Sequence, residues 1–144
     1  MTVHTPSRSA TPATRARIDE SLPFYPLNIA VLTVSDSRTL QTDTSGALLA
    51  ERLTAAGHAL AGRTLVADDV FSIRAQVRTW VDDPGVDVIL TTGGTGFAPR
   101  DVTPEAVRPL FRREMDGFAV VFHQASYGSV GVSTLQSRAL AGQI

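Results

Sequence analysis

Residues 91–105 read Thr-Thr-Gly-Gly-Thr-Gly-Phe-Ala-Pro-Arg-Asp-Val-Thr-Pro-Glu and follow the apolar run Val86-Asp87-Val88-Ile89-Leu90. This order describes a buried strand entering a loop with almost no side chains, then an arginine, an aspartate and a helix start. Glycines let a backbone come close to a ligand, and consecutive N–H groups in such a loop can point at an anion. A phosphate is the anion that Gly93, Gly94, Thr95 and Gly96 would suit. Taken alone, the same stretch reads equally well as a tight turn.

Two more clusters sit where strand-like runs end, Ser35-Asp36 and Asp68-Asp69. In open α/β sheets, ligands bind in the crevice beyond the carboxyl ends of the strands. Three exits that deliver hydroxyls, carboxylates and a glycine loop therefore mark one sheet edge as a candidate site. Carboxylates repel a neighbouring phosphate, and a divalent cation resolves that repulsion. Magnesium suits oxygen ligands shared between one or two carboxylates and substrate phosphates. Such a set, with no covalent nucleophile, points to phosphoryl or nucleotidyl transfer by positioning and charge neutralisation. Each part also has a purely structural reading. Asp101 with Thr103 can cap a helix, Asp68 or Asp69 can cap the helix that follows, and Asp36 with Arg38 can form a weak surface ion pair.

Composition removes several other chemistries. The chain has no cysteine, which excludes disulfides, thiolate nucleophiles and cysteine-bound metals. All 13 basic residues are arginine, so a Schiff base, a lysine base and a P-loop lysine are excluded too. His4, His58 and His123 lack metal-ligand spacing, none stands at a strand exit, and there is no nucleophile elbow. The glycine loop follows the third strand, not the first, which weakens a dinucleotide-binding reading. A net charge of −1 argues against a nucleic-acid partner. No apolar stretch approaches the roughly 20 residues that span a bilayer, and the N-terminus lacks a secretory core. No membrane partner is expected, and the cytoplasm is the expected location.

The elements that must position these residues follow from apolar periodicity. Residues 1–26 are rich in Thr, Ser, Pro, Arg and Ala with no sustained periodicity, and are expected to form a flexible arm. Leu27–Val34 is a nearly continuous apolar run, typical of a strand covered on both faces. Leu49, Leu53 and Ala56 give one face of a helix closed by Gly57, and a second strand is expected over Ala59–Val66. Val70, Ile73, Val77, Trp80 and Val81 recur at helical spacing until Asp82-Asp83-Pro84-Gly85 breaks the pattern. A third strand is expected over Val86–Thr92. Thr103 with Pro104 behind it has the form of a helix N-cap, and a further helix is expected over Phe118–Tyr127. Alternating strands and helices mean a mostly parallel sheet with right-handed crossovers, a doubly wound three-layer α/β/α sandwich.

Several motifs resemble the signature of the MoaB/Mog family of molybdenum cofactor biosynthesis. They are Thr91-Thr92-Gly93-Gly94-Thr95-Gly96 with Arg100-Asp101-Val102-Thr103-Pro104-Glu105-Ala106, Val34-Ser35-Asp36-Ser37-Arg38, Asp43-Thr44-Ser45-Gly46, Arg113-Glu114-Met115-Asp116-Gly117-Phe118 and Ser137-Arg138-Ala139-Leu140-Ala141-Gly142. The resemblance runs from about residue 27 to the end and looks most like the MoaB branch. It implies the molybdopterin-binding fold over 27–144, with another strand and a Pro-Gly loop expected after Gly142, where this chain reads Gln143-Ile144.

The resemblance also implies an activity, adenylylation of molybdopterin: the terminal phosphate of the pterin attacks the α-phosphate of magnesium-bound ATP and releases pyrophosphate. By the same resemblance, Asp68 and Asp101 match the family's two important aspartates, as catalytic groups and magnesium ligands. Either Asp68 or Asp69 can face the pocket. Thr92, Gly93, Gly94, Thr95 and Gly96 would hold the pterin phosphate, and Ser35, Asp36, Arg100 and Ser137 would line the pocket. A homotrimer or hexamer is implied. The alternative reading is a non-catalytic molybdopterin-binding or scaffold member of the same family.

Overall fold

The computed structural model describes residues 19–144. Most of the expected N-terminal arm, residues 1–18, lies outside the described residues. Residues 19–26 form no helix or strand, and their end is fastened to the body. The Phe24 ring lies 5.2 Å from the His58 ring, and the Leu27 N–H donates to His58 Nδ1 at 3.1 Å.

Three parallel strands form the main sheet: β1 (Asn28–Val34), β2 (Ala59–Val66) and β3 (Val88–Thr92), in the order β2-β1-β3. The continuous apolar run therefore occupies the centre, where both faces and both edges are covered, and every residue from Ile29 to Val34 is buried. Side chains alternate across a strand, and the two faces of β1 feed two cores. Ala30, Leu32 and Val34 pack against Ile73, Val77 and Trp80 of α2 (Val70–Val81) and Ala106 and Val107 of α3 (Thr103–Val107). Ile29 and Val31 pack against Leu49 and Leu53 of α1 (Thr44–Ala55). With helices on both faces, the architecture is the expected α/β/α sandwich. Each fully buried Val, Leu or Ile among them contributes about 1.5–3 kcal/mol by leaving water.

Some boundaries differ from the periodicity. β3 starts at Val88 because the Val86 N–H is tied to Asp83 O in the turn that ends α2. The last long helix, α4 (Asp116–Val130), outruns Phe118–Tyr127 and ends where Gly131 takes a positive φ of 60°. A 3-10 helix (Gly131–Gln136) folds back on α4, joined by a 2.8 Å hydrogen bond between His123 Nδ1 and Thr134 Oγ1. A second, antiparallel pair joins β4 (Arg113–Glu114) to β5 (Gly142–Gln143). No turn residue connects these two short strands, so local pattern could not reveal the pairing.

The α4 helix has no buried residue, and Val120, Val121 and Tyr127 are each at least 60% exposed. No helix among the described residues is long and apolar enough to cross a membrane.

Candidate active site

The ends of β1, β2 and β3 open on one edge, and the glycine loop leaves β3 there. Gly93 and Gly94 adopt φ values of 95° and 66°, in the left-handed region that other residues rarely enter. Neither position has room for a side chain. A Cβ on Gly93 would lie 2.1 Å from the Val34 carbonyl oxygen, and one on Gly94 would lie 2.4 Å from Thr103 Oγ1 and 3.1 Å from Asp68 Oδ1. The loop is thus pressed onto the end of β1 with Asp68 against it.

The loop's hydrogen bonding is divided. The Gly93 carbonyl accepts from Thr103 Oγ1 at 2.8 Å and the Gly94 carbonyl from the Thr103 N–H at 2.9 Å. The Thr95 carbonyl accepts from the Arg138 N–H at 2.8 Å and the Gly96 carbonyl from Arg138 Nε at 2.9 Å. Two residues thereby hold four consecutive carbonyls. Among the described residues, none accepts from the N–H groups of Gly93, Gly94, Thr95 or Gly96. Four adjacent donors without protein acceptors are the arrangement an anion requires.

Thr103 is therefore no N-cap. The capping position of α3 is Val102, with no side-chain bond, while the fully buried Thr103 hydroxyl turns to the loop. Pro104 still stands in the first turn, as its fixed φ favours. Asp101 does not cap α3 either. Its Oδ2 accepts from the Ala98 N–H at 2.9 Å, closing the turn after the loop, and a Cβ on Gly96 would sit 2.6 Å from that oxygen.

The choice between Asp68 and Asp69 is resolved by their partners. Asp69 is the N-cap of α2, and its Oδ2 accepts from the Ser72 N–H and hydroxyl, both at 2.8 Å. Asp68 faces the glycine loop and is bound reciprocally to Asp36. The Asp36 N–H donates to Asp68 Oδ2 at 2.9 Å, and the Asp68 N–H donates to Asp36 Oδ1 at 3.0 Å. Asp36 pairs bidentately with the Nε–Nη2 edge of the Arg100 guanidinium, with Nη2 donating to Oδ1 at 3.0 Å, and not with Arg38. Arg38 instead donates to Thr44 Oγ1 at 3.2 Å.

The electrostatics follow from this crowding. Burial raises the Asp68 carboxyl above the ordinary aspartate range, and repulsion from Asp36 and Asp101 adds to it. Asp36 is lowered, first by its hydrogen bond from Arg100. Arg100 is thus committed to Asp36, and Asp68 forms no salt bridge among the described residues. No three acidic or histidine side chains converge as a complete metal site among the described residues. An ion that draws its other ligands from phosphates and water still fits: Asp68, destabilised as an anion beside Asp101, is the group a divalent cation would relieve.

The other site residues divide. Ser35 Oγ accepts from the N–H groups of Ser37 and Arg38 at 3.3 and 3.2 Å, so it shapes the turn after β1. Ser35, Thr92 and Gly93 also line a cavity of ≈ 130 Å³ with Arg38, Asp43 and Ser45. A larger cavity of ≈ 350 Å³ lies beyond the loop, lined among others by Phe97, Ala98, Asp101, Val102, Glu105 and Arg138. Ser137 lines neither cavity, and its hydroxyl forms no hydrogen bond among the described residues.

Its neighbour Arg138 is the site residue that sequence reasoning did not single out. Besides holding two loop carbonyls, it donates to the Asp101 carbonyl at 2.5 Å and pairs with Glu105. Its place in the Ser137-Arg138-Ala139 motif was the available signal.

The Asp43-Thr44-Ser45-Gly46 motif is explained by the start of α1. Asp43 caps the helix by accepting from the Gly46 N–H at 2.9 Å, and also takes the Thr33 hydroxyl at 2.7 Å and Arg63 at 3.0 Å. Burial acts to raise its carboxyl, but these three partners together hold it below the usual range. A Cβ on Gly46 would lie 2.1 Å from Asp43 Oδ2, so the contact requires glycine.

Comparison with known proteins agrees with this geometry. A family model described as "Probable molybdopterin binding domain" matches residues 30–143. Molybdenum cofactor biosynthesis protein B of Escherichia coli (strain K12) is 47% identical over 122 residues, covering 85% of this chain and 72% of that protein. The protein of the same name from Bacillus subtilis (strain 168) is 44% identical over 115 residues, covering 79% and 68%. A crystal structure of a molybdenum cofactor biosynthesis protein B superposes with a TM-score of 0.79 at 43% identity, over 83% of this chain and 75% of that one. The tungsten cofactor synthesizing protein MoaB from Pyrococcus furiosus superposes with a TM-score of 0.72 at 35% identity, over 83% and 74%. The chain belongs to the MoaB/Mog family of molybdenum cofactor biosynthesis proteins.

Proposed function

We propose that this protein binds molybdopterin and transfers AMP from magnesium-bound ATP to the pterin's terminal phosphate. The observation that carries the reading is the glycine loop itself, with four carbonyls held by Thr103 and Arg138 and four N–H groups left to donate. These donors bind the attacking phosphate, with Asp68 and Asp101 beside them.

An oxygen of that phosphate forms a bond to the α-phosphorus of ATP as the bond to the β-phosphate breaks, and pyrophosphate leaves. The nucleophile is already an anion, so no general base is required, and no histidine among the described residues lines the two cavities. Asp68 and Asp101 would hold magnesium, whose charge neutralises the crowded phosphates. Use of ATP agrees with a cytoplasmic location. The exposed apolar surface of α4 supports assembly into a homotrimer or hexamer.

The test is direct formation of adenylylated molybdopterin from Mg-ATP by the purified protein, with an active family member run in parallel. Product formation supports the enzyme. Pterin binding without product, while the control is active, overturns catalysis in favour of a binding or scaffold role.

A further inference from the structure

Arg74 stands on the second turn of α2 and spends its guanidinium on two backbone carbonyls of another helix. Its Nε donates to the Ala106 carbonyl at 3.1 Å and its Nη2 to the Glu105 carbonyl at 3.2 Å, both in α3. Arg74 forms no ion pair among the described residues. A fork that ordinarily recognises a carboxylate is here fitted to consecutive carbonyls.

The sequence of α3 explains why those carbonyls are open. In an α-helix the Glu105 carbonyl accepts from the N–H four residues on, and that residue is Pro109, which has none. The chain then tightens into a 3-10 turn over Arg108–Leu110, whose bonds run three residues back and pass over the Ala106 carbonyl. Carbonyls left over at a helix end need donors from elsewhere, and Arg74 supplies both.

This tie reaches the candidate active site at two ends. Asp68 lies at the entry to α2, directly before its cap Asp69. Thr103, which opens α3, holds the Gly93 and Gly94 carbonyls, and Glu105 pairs with Arg138, which holds those of Thr95 and Gly96. Ala106 and Val107 also pack against Ile73, Val77 and Trp80. Apolar attraction is non-directional, however, and does not fix where one helix stands along the other.

We propose that Arg74 is a positioning residue for the transfer reaction: by tying α3 to α2 it sets where the glycine loop stands against Asp68. Its kinetic consequence rests on the proposed function, whereas the tie itself can be read from the loop.

Arg74→Met keeps the aliphatic stem and removes both donors. Thr103 and Arg138 still clamp the loop, so its shape is expected to survive and pterin affinity to stay within a few-fold of wild type. Displaced from Asp68, the loop is expected to lose kcat on the order of ten- to a hundred-fold, the scale of a misplacement of about 1 Å. The Gly93 and Gly94 amide resonances should shift with it. Arg74→Lys, with its charge kept but no fork, should fall between, and it carries the test should Arg74→Met not fold. Adding Pro109→Ala to Arg74→Met gives the Glu105 carbonyl a donor within its own segment, so the melting temperature is expected to recover while kcat stays low.

A lower melting temperature in Arg74→Met with unchanged kcat and glycine amides would overturn the proposal. So would recovery of kcat on adding Pro109→Ala, because satisfying a carbonyl would then be the whole role. A wild type that makes no product beside an active relative overturns the proposed function instead, and the glycine resonances then decide the Arg74 tie by themselves.

Discussion

Asp36 and Asp68 are held together by exchange, the backbone N–H of each donating to the side chain of the other at 2.9 and 3.0 Å. The two carboxylates leave adjacent strands, β1 and β2, so strand pairing brings them side by side before any ligand arrives. Arg100 forms its ion pair with Asp36 and reaches Asp68 only through its longer-range field. Asp68, partly buried beside Asp36 and Asp101, is held above the ordinary aspartate range and is the carboxylate that the proposed magnesium would relieve.

The raised Asp68 carboxyl predicts a pH dependence of magnesium binding. A proton and a cation compete for the same oxygens, so Mg-ATP affinity should fall as pH drops through the raised value, at a higher pH than an ordinary aspartate would give. The sign for stability is opposite to that of a salt-bridged aspartate. Raised in the fold, Asp68 costs nothing below its unfolded value, and its penalty develops as pH rises through the folded one. Asp68→Asn should remove both effects. Mg-ATP titrations and urea unfolding over the acid range check this, and a variant with wild-type profiles would refute it.

Asp101→Asn should lower turnover far more than pterin affinity. The amide keeps an oxygen for the Ala98 N–H, so the turn survives, but the negative charge beside the phosphates is lost. A drop of about a hundred-fold or more in kcat, with the pterin Kd within a few-fold of wild type, is the expected split for a charge needed mainly in the transition state. Equal losses in both would show Asp101 to be a binding residue only.

Gly93→Ala and Gly96→Ala should separate fold from chemistry. At Gly93 the new methyl meets the Val34 backbone at 2.1 Å and the φ is 95°, so strain of about 1–3 kcal/mol or more should destabilise the protein. At Gly96 the nearest atom is an oxygen of the Asp101 carboxylate, at 2.6 Å, a side chain that can shift where the Val34 backbone cannot, at the expense of its bond to the Ala98 N–H. Thermal unfolding should therefore move strongly for Gly93→Ala and little for Gly96→Ala, while turnover suffers in both. Similar melting temperatures for the two variants would contradict the geometry.

Arg63→Met should leave the buried Asp43 carboxylate without a cation. Breaking a buried pair on one side costs about 3–5 kcal/mol. The lower end is expected here, because Thr33 and Gly46 remain as partners and an unpartnered, buried Arg63 Nε is removed. The Asp43 carboxyl is lowered in the fold, so its contribution is complete above the unfolded value and disappears as pH falls through the folded one. With Arg63 gone, that acid loss should begin at higher pH. Urea unfolding of both proteins across the acid range would show it, and parallel curves would not.

Val121→Asp should weaken self-association without unfolding the chain. The side chain is 64% exposed on α4, so the monomer loses little, whereas a charge buried between subunits is costly. Sedimentation of the wild type as an oligomer and of the variant as a smaller species is the expected result. A stable wild-type monomer at micromolar concentration would remove the basis for an assembly through α4.

Legibility in the chain followed sequence distance. The central strand declared itself by an unbroken apolar run, because only a strand covered on both faces has no solvent side to mark. Helices α1 and α2 showed in 3.6-residue periodicity, and the glycine loop in residues that only a close or left-handed backbone requires. What depended on partners far along the chain could not be read locally. Asp36 and Asp68 are 32 residues apart, Asp36 and Arg100 are 64, and Arg138 is 42 from the Gly96 carbonyl it holds. Local pattern therefore offered Arg38 as the partner of Asp36, Thr103 as a cap and either of two aspartates for the pocket. Folding chose Arg100, turned Thr103 to the loop and gave Asp69 to the helix, because each donor takes the acceptor that packing brings within about 3 Å.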